Sequence, residues 1–181
     1  ELAWRALREL IDTGLSRDEL DAIRRTIHSV PGVKALHMLR TRRVGGQALV
    51  DVHILVDSRL SVSEGHHISE TVRGKLIHEI APVTDVMVHI DTEEDMDTPT
   101  AAPLPAREDV LKRLTAYFKD IPQARHIEHT TLHYVNGQII AELILSRAAL
   151  AEGESADALA SQFAQAIRSD PYIGKIECLY R

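Results

Sequence analysis

The sequence lacks the features that mark several large classes of protein. Its single cysteine, Cys178, cannot form an internal disulfide, which excludes a disulfide-stabilised fold and is compatible with a reducing compartment. No apolar run approaches the roughly 20 residues that a membrane-spanning helix needs, and no signal peptide is visible. Basic residues are not in excess: the formal net charge is −6, which argues against nucleic acid as a partner.

Motifs of several enzyme classes are missing as well. The chain contains no H-E-x-x-H motif, no nucleophile elbow and no phosphate-binding loop. No carboxylate beside the candidate metal ligands described below stands out as a general base. We therefore expect that the protein is not an enzyme. The alternative, a metal-dependent hydrolase, would have to be reconsidered only if the protein turned over phosphoester substrates.

What is present is an ordinary composition for a soluble protein. The chain has 181 residues, of which 44% are hydrophobic and 27% charged. That length is enough for one sizeable core or two small ones. The sequence begins at Glu1 rather than methionine, in a stretch that already has a helical pattern, so we interpret it as a piece of a longer protein.

The predicted elements of the first half follow the order αββαβ. Ser16 and Glu19 form a capping-box pattern that opens the first helix. Pro31-Gly32 ends that helix, and Gly45-Gly46 predicts a hairpin between two strands. A second helix from Ser63 or Glu64 to Ile80 and a third strand complete this part.

The same order returns after an acidic, proline-containing segment, residues 92–106. Asn136-Gly137 is the hairpin signal of the second half. Pro31 and Pro122 are separated by 91 residues, as are Gly46-Gln47 and Gly137-Gln138. The repeated element order and this common offset indicate an internal duplication. In each αββαβ unit, two helices can cover only one face of a three-stranded sheet, so the other face needs a partner.

Candidate metal ligands are concentrated in the first half. Imidazoles and a carboxylate are the ligand set of Zn²⁺ and its transition-metal neighbours, and five such residues occupy strand-like or helix-start positions: His37, His53, His66, His89 and Asp91. His89 and Asp91 are two residues apart, so they share one face of their strand. The duplication offset carries His37, His53 and His66 onto Glu128, Ile144 and Asp157. The final strand needs a shift of about one residue less, which places His89 near Leu179 and Asp91 near Arg181, so the second half has nearly lost the set. This loss indicates a role for the first half alone.

Other histidines have simpler interpretations. His67 could replace His66 as a ligand, and His28 and His78 fit ordinary polar positions on helices. Three more histidines lie in the second half on a predicted strand, where we interpret them as solvated, with a weak second metal site as the alternative: His126, His129 and His133. For any one of the five candidates taken alone, surface decoration is the default interpretation.

Four stretches of the first half resemble the cytoplasmic C-terminal domain of cation diffusion facilitator transporters. They are His37-Met38-Leu39-Arg40-Thr41-Arg42, Val52-His53-Ile54, Glu64-Gly65-His66 and Val88-His89-Ile90-Asp91. The resemblance covers about Asp12 to Asp91, and Asp12-Thr13-Gly14-Leu15 is similar to the family's junction with its last membrane helix. The second αββαβ unit is not part of the common family pattern.

The resemblance implies an α+β fold of two ferredoxin-like αββαβ units, with helices on one face of each mostly antiparallel sheet. The expected boundaries are 1–91 for the juxtamembrane segment and metal-binding unit, 92–106 for the linker and 107–181 for the second unit. It also implies a soluble, cytoplasmic fragment of an inner-membrane efflux protein that homodimerises and is joined to the transport domain of the same polypeptide.

The implied ligands are His37, His53, His66, His89 and Asp91, at or near the dimer interface. The implied ion is a divalent cation, with Zn²⁺ first and Cd²⁺, Co²⁺, Ni²⁺ or Fe²⁺ as alternatives. His66, at a helix start, is the candidate to reach the other subunit. The alternative function is a ferredoxin-like structural or small-ligand-binding module that has no functional metal site.

Overall fold

The structure is a computed structural model that describes residues 14–94, 104–150 and 155–181. The chain divides into two compact units, Glu1–Asp97 and Thr98–Arg181. The division falls inside the segment that the sequence predicts to be a linker. Within the described residues, no helix combines the length and the apolarity that a bilayer crossing requires.

The first unit has the element order αββαβ. Its helices and strands are α1 (Arg17–His28), β1 (Ala35–Val44), β2 (Gln47–Leu55), α2 (Val62–Glu79) and β3 (Val83–Asp91). The predicted capping box opens α1: the Glu19 N–H donates to Ser16 Oγ at 3.3 Å, and the Ser16 N–H donates to the Glu19 carboxylate at 2.8 Å. These bonds satisfy backbone donors that a helix start leaves without partners.

The sheet of the first unit has the strand order β1-β2-β3. The β1/β2 ladder is antiparallel, as a tight hairpin requires, and the β2/β3 ladder is parallel because α2 carries the chain back across the sheet. The sheet is therefore mixed, with one ladder of each kind, where the sequence favoured a mostly antiparallel one. Val50, Val52 and Ile54 point from β2 into the core beneath the helices, so the intervening residues of β2 lie on the opposite, helix-free face.

The second unit repeats this plan with two short additions. Its elements are α3 (Arg107–Tyr117), a 3₁₀ helix (Pro122–His126), β4 (Ile127–Val135), β5 (Gln138–Leu145), a second 3₁₀ helix (Arg147–Leu150), α4 (Ala156–Ala166) and β6 (Ile173–Tyr180). Its sheet has the order β4-β5-β6, again with one antiparallel and one parallel ladder. The predicted Asn136-Gly137 turn has positive φ at both residues, 52° and 69°, as a tight hairpin turn demands. The expected pair of αββαβ units is confirmed.

A β-bulge occurs at the same place in both units. In β1 the pairing shifts between Leu36 and Met38, and in β4 it shifts between Ile127 and His129, which is 91 residues later. A bulge inserts one extra residue and locally redirects side chains. Its recurrence at the duplication offset is structural support for the internal repeat.

Candidate metal centre

The β-bulge fixes the position of His37. Leu36 pairs with Ile54 and Met38 pairs with His53, so His37 is the extra residue of the bulge. The His37 side chain is 10% exposed, and its Nδ1 lies 3.8 Å from Asp91 Oδ2. Its Nε2 is buried and has no hydrogen-bond partner among the residues that the structure describes. The nitrogen without a partner is therefore not the one that faces Asp91, and the nearness of His37 to the carboxylate is an observation about Nδ1 alone.

His53 and His89 face each other across the parallel ladder. Their Cα atoms are register partners on β2 and β3. Both therefore project from the helix-free face of the sheet, and their rings lie 4.5 Å apart at an interplanar angle of 30°. The parallel ladder thus places one imidazole from the central strand beside one from the edge strand β3.

Asp91, the last residue of β3, is the centre of the cluster. One carboxylate oxygen, Oδ2, lies 3.2 Å from His53 Nδ1, and the other, Oδ1, lies 3.2 Å from His89 Nε2. One ligand atom each from His53, His89 and Asp91 can be chosen so that all lie within 4.8 Å of one another. Two imidazole nitrogens and a carboxylate oxygen at this spacing match the donor set of a Zn²⁺-type ion. His37 lies beside this group, with its Nδ1 3.8 Å from Asp91 Oδ2.

Burial within the cluster is graded. Side-chain exposure rises from 10% at His37 and 20% at Asp91 to 30% at His53 and 62% at His89. An ion held here would be enclosed on the sheet side and accessible from the side of His89. The cluster therefore sits at a surface that a second protein chain could cover.

His66 is not brought into this cluster. It is the fifth residue of α2 and is exposed, as is its neighbour His67. The helix packs on the core face of the sheet: Gly65 is buried, and a Cβ built on it would lie 3.5 Å from Ile90 Cδ1. His89 and Asp91 project from the other face, so the predicted five-ligand set is not assembled within one chain.

The second unit has a different pair of charges at the equivalent positions. Glu128 occupies the bulge of β4, as His37 does in β1, and Arg181 occupies the position of Asp91. The Arg181 guanidinium donates to the Glu128 carboxylate. Ile144 and Leu179, register partners on β5 and β6, stand where the first unit has His53 and His89. The positively charged Arg181 side chain thus lies in the second unit at the position where the first unit has Asp91, the centre of the candidate metal ligands.

The remaining candidate donors do not extend the centre. His126 Nε2 accepts a hydrogen bond from Arg125 Nε at 3.1 Å, and His133 Nε2 is buried without a partner among the described residues. Burial raises the pKa of the Cys178 thiol to about 11, so the thiolate form that a metal requires is scarce at neutral pH.

The comparison with protein families is decisive for the first unit. Residues 15–93 match the family described as cation efflux protein, cytoplasmic domain. The match covers nearly all of the first unit and less than half of the chain. This finding confirms the resemblance, and the four ligand-bearing stretches on which it rested all lie inside the matched residues.

Two curated relatives show how far the similarity extends. Metal tolerance protein C1 of Arabidopsis thaliana is 32% identical over 154 residues, which is 78% of this chain and 32% of that protein. The cation-efflux pump FieF of Serratia proteamaculans is 38% identical over 86 residues, 48% of this chain and 28% of that protein. The chain spans a third or less of these relatives' length. The first match is too long to lie within the cation efflux domain alone, so it extends into the second unit.

Solved structures of similar chains are MamM C-terminal domains. A nickel form is 26% identical with a TM-score of 0.42, and covers 44% of this chain and 100% of its own. A manganese form is 29% identical with a TM-score of 0.41, and covers 42% of this chain and 96% of its own.

Proposed function

We propose that residues 1–91 are the regulatory and dimerising domain of a divalent-cation efflux transporter, and that they bind a Zn²⁺-like ion. The observation that carries the proposal is Asp91, whose two carboxylate oxygens lie 3.2 Å from His53 and His89 while His37 lies 3.8 Å away. Without a cation, an exposed sheet face would gain little from concentrating three imidazoles around one carboxylate. With a cation, the same groups form a ligand set.

The second subunit enters the proposal through His66 and the open face of the sheet. His89 is 62% exposed, on a sheet face without helices, and His66 is exposed near the start of α2. We assign His37, His53, His89 and Asp91 to one chain, and His66 to the site of a partner copy. A metal ion held in this way ties two subunits together, because its affinity for the joined state exceeds its affinity for the separated one.

Regulation follows from that coupling. The chain spans only about a third of the metal tolerance protein that it resembles, which leaves ample length for a membrane-embedded transport domain in the same polypeptide. On the cytoplasmic side of the inner membrane, cation binding would close the two domains and so report the cytoplasmic metal level to the transport domain. Zn²⁺ is the first candidate, and the nickel, cadmium and manganese forms of MamM are named for other ions.

The test is a zinc titration by calorimetry, with mass measured by light scattering before and after saturation. We expect saturable binding to the wild type, and loss of at least about tenfold in affinity in His89→Ala/Asp91→Ala, because two ligands are removed. The matched control is Leu179→Ala/Arg181→Ala, which changes the equivalent pair of the second unit and should leave zinc affinity unaltered.

His66→Ala separates the two parts of the proposal. We expect zinc still to bind to the cluster of His37, His53, His89 and Asp91, but no longer to raise the mass toward that of a dimer. If His89→Ala/Asp91→Ala binds zinc as the wild type does, the metal function fails. The chain would then be a structural ferredoxin-like module.

A further inference from the structure

The second unit contains an apolar cleft. It lies between α3 and the sheet, has a volume of about 560 Å³, and falls in the range of pockets that hold small organic ligands. Its walls come from α3, from the 3₁₀ helix before β4, and from β4 and β5. Leu114, Phe118 and Leu143 form its floor, since all three are buried in the core of this unit.

Two substitutions between the units lie next to this cleft. At the offset of 91 residues, Phe118 replaces Ile27 and Phe163 replaces Val72, so two aromatic rings stand where the first unit has two aliphatic side chains. The rings pack edge to face with centroids 4.6 Å apart. In the first unit α1 lies close to α2 and β1, whereas α3 approaches α4 and β4 less closely. The larger aromatic pair therefore holds α3 away from its neighbours.

Smaller residues on the wall widen the gap. Thr130 pairs with Leu143 on the core face of β4, at the position that Leu39 occupies opposite Val52 in β1. Leu39 packs against the core of the first unit, whereas Thr130 lines the cleft. Ala124 lines it where the first unit has Val33. Each change removes side-chain carbon atoms from the same wall.

The polar part of the cleft has one sign of charge. Lys119 and Arg125 line it, and no carboxylate is among its lining residues in the part of the chain that the structure describes. The Lys119 ammonium lies 3.9 Å from the carboxylate of Asp120, which is 87% exposed, and Arg125 Nε donates to His126 Nε2. An apolar floor with two cations at its wall suits a ligand that has an apolar tail and an anionic head.

We propose that this cleft binds a medium-chain monocarboxylate, with its tail over Leu114, Phe118 and Leu143 and its carboxylate at Lys119 and Arg125. The proposal does not depend on the metal function, because every residue of the cleft belongs to the second unit. It gives the second unit a ligand of its own, bound by residues other than those of its helix-free sheet face.

The test uses decanoate as the probe, below the concentration at which it forms micelles, titrated into the whole chain by calorimetry. We expect saturable binding of one decanoate per chain. Decanol, which keeps the tail without the charge, and acetate, which keeps the charge without the tail, should each bind at least about tenfold more weakly.

Two variants locate the binding. Thr130→Leu restores the side chain of the first unit and should weaken decanoate binding about tenfold or more by filling the cleft. The matched control, Thr131→Leu, changes the neighbouring residue, which pairs with Glu142 on the other face, and should bind as the wild type does. Lys119→Gln/Arg125→Gln should weaken decanoate but not decanol.

The proposal is overturned if decanoate fails to saturate, or if Thr130→Leu and Thr131→Leu bind it equally. Equal binding of decanol and decanoate would overturn the assignment of an anionic ligand. His89→Ala/Asp91→Ala should leave decanoate binding unchanged, so a failure of the metal function and a failure of the cleft are distinguishable.

Discussion

Replacing Asp170 by asparagine should destabilise the second unit by about 2–3 kcal/mol at neutral pH. The Asp170 side chain is completely buried. Its Oδ1 accepts hydrogen bonds from the backbone N–H groups of Tyr172 and Ile173 at 2.8 and 2.9 Å, and its Oδ2 accepts one from the Arg113 guanidinium at 3.0 Å. These bonds tie the middle of α3 to the segment that enters β6.

The magnitude follows from what the amide can replace. Asparagine keeps an oxygen for the two backbone donors, but it presents an NH₂ group to Arg113 and so loses a charge-assisted bond worth about 1.5–3 kcal/mol. The two remaining bonds weaken because their acceptor is neutral. Asp170→Ala, which leaves the buried donors without an acceptor, should cost more, about 3–5 kcal/mol.

The pH dependence gives a second, independent signature. Burial alone would raise the pKa of Asp170, but the two backbone N–H groups and the Arg113 guanidinium outweigh it and hold that pKa below its ordinary value. The stabilisation is therefore complete above the carboxyl pKa of the unfolded chain, about 3.9, and is lost as pH falls through the lower folded value. The stability gap between the wild type and Asp170→Asn should close below about pH 4.

Amide hydrogen exchange of Leu143 and Leu145, in the central strand of the second unit, measures the effect locally. A loss of 2–3 kcal/mol corresponds to roughly 30- to 150-fold faster exchange, provided that these amides exchange through unfolding of the unit. Asp120→Asn, at an exposed carboxylate, is the control and should exchange as the wild type does. A neutral-pH change below about threefold, or a gap that persists undiminished at pH 3, would refute the reasoning.

Three further predictions concern other parts of the chain. Gly32→Ala should destabilise the first unit by about 1–2 kcal/mol in urea unfolding, because Gly32 has φ +94° and a Cβ there would lie 2.6 Å from Ile68 Cδ1. Gly74→Ala, in open space within α2, is the control and should instead stabilise the unit by about 0.5–1 kcal/mol. Equal effects of the two substitutions would contradict this account. Alkylation of Cys178 by iodoacetamide at pH 7.5 should be about a hundredfold slower than that of an unperturbed thiol, because its pKa is raised to about 11; a rate like that of free cysteine would show that the thiol is not buried in solution. Zinc affinity measured by calorimetry should be lower at pH 5.5 than at pH 7.5, since protons compete for the imidazole ligands, and equal affinities at the two pH values would count against histidine ligation.

The sequence predicts most of the fold because its signals are local. The capping box at Ser16 and Glu19 and the Asn136-Gly137 turn depend on hydrogen bonds and φ angles within a few residues, and both are present in the structure. The 3₁₀ helix Pro122–His126 was not predicted. It contains His126, which the sequence placed on a strand, and β4 begins only at Ile127. A short 3₁₀ turn after proline has no periodic pattern that distinguishes it from the start of a strand.

The candidate site divides in the same way. The shared face of His89 and Asp91 follows from strand alternation, and the structure confirms it. The position of His37 depends on a bulge, which no residue type near Leu36 announces, because bulges arise from the fit between two strands. The separation of His66 from the cluster depends on which face α2 covers, a tertiary property that the sequence of the helix alone does not encode. The metal role of all five residues stays a prediction.

The bulge has a consequence for how this chain can change over generations. It persists in β4, where the extra residue is Glu128 rather than histidine, so the backbone geometry does not depend on which side chain occupies the bulge. The bulge position therefore accepts different side chains. Histidine there serves one purpose and glutamate another, and the exchange requires no refolding of the strand. The chain therefore contains two versions of one αββαβ backbone that differ in the side chains at the same few positions.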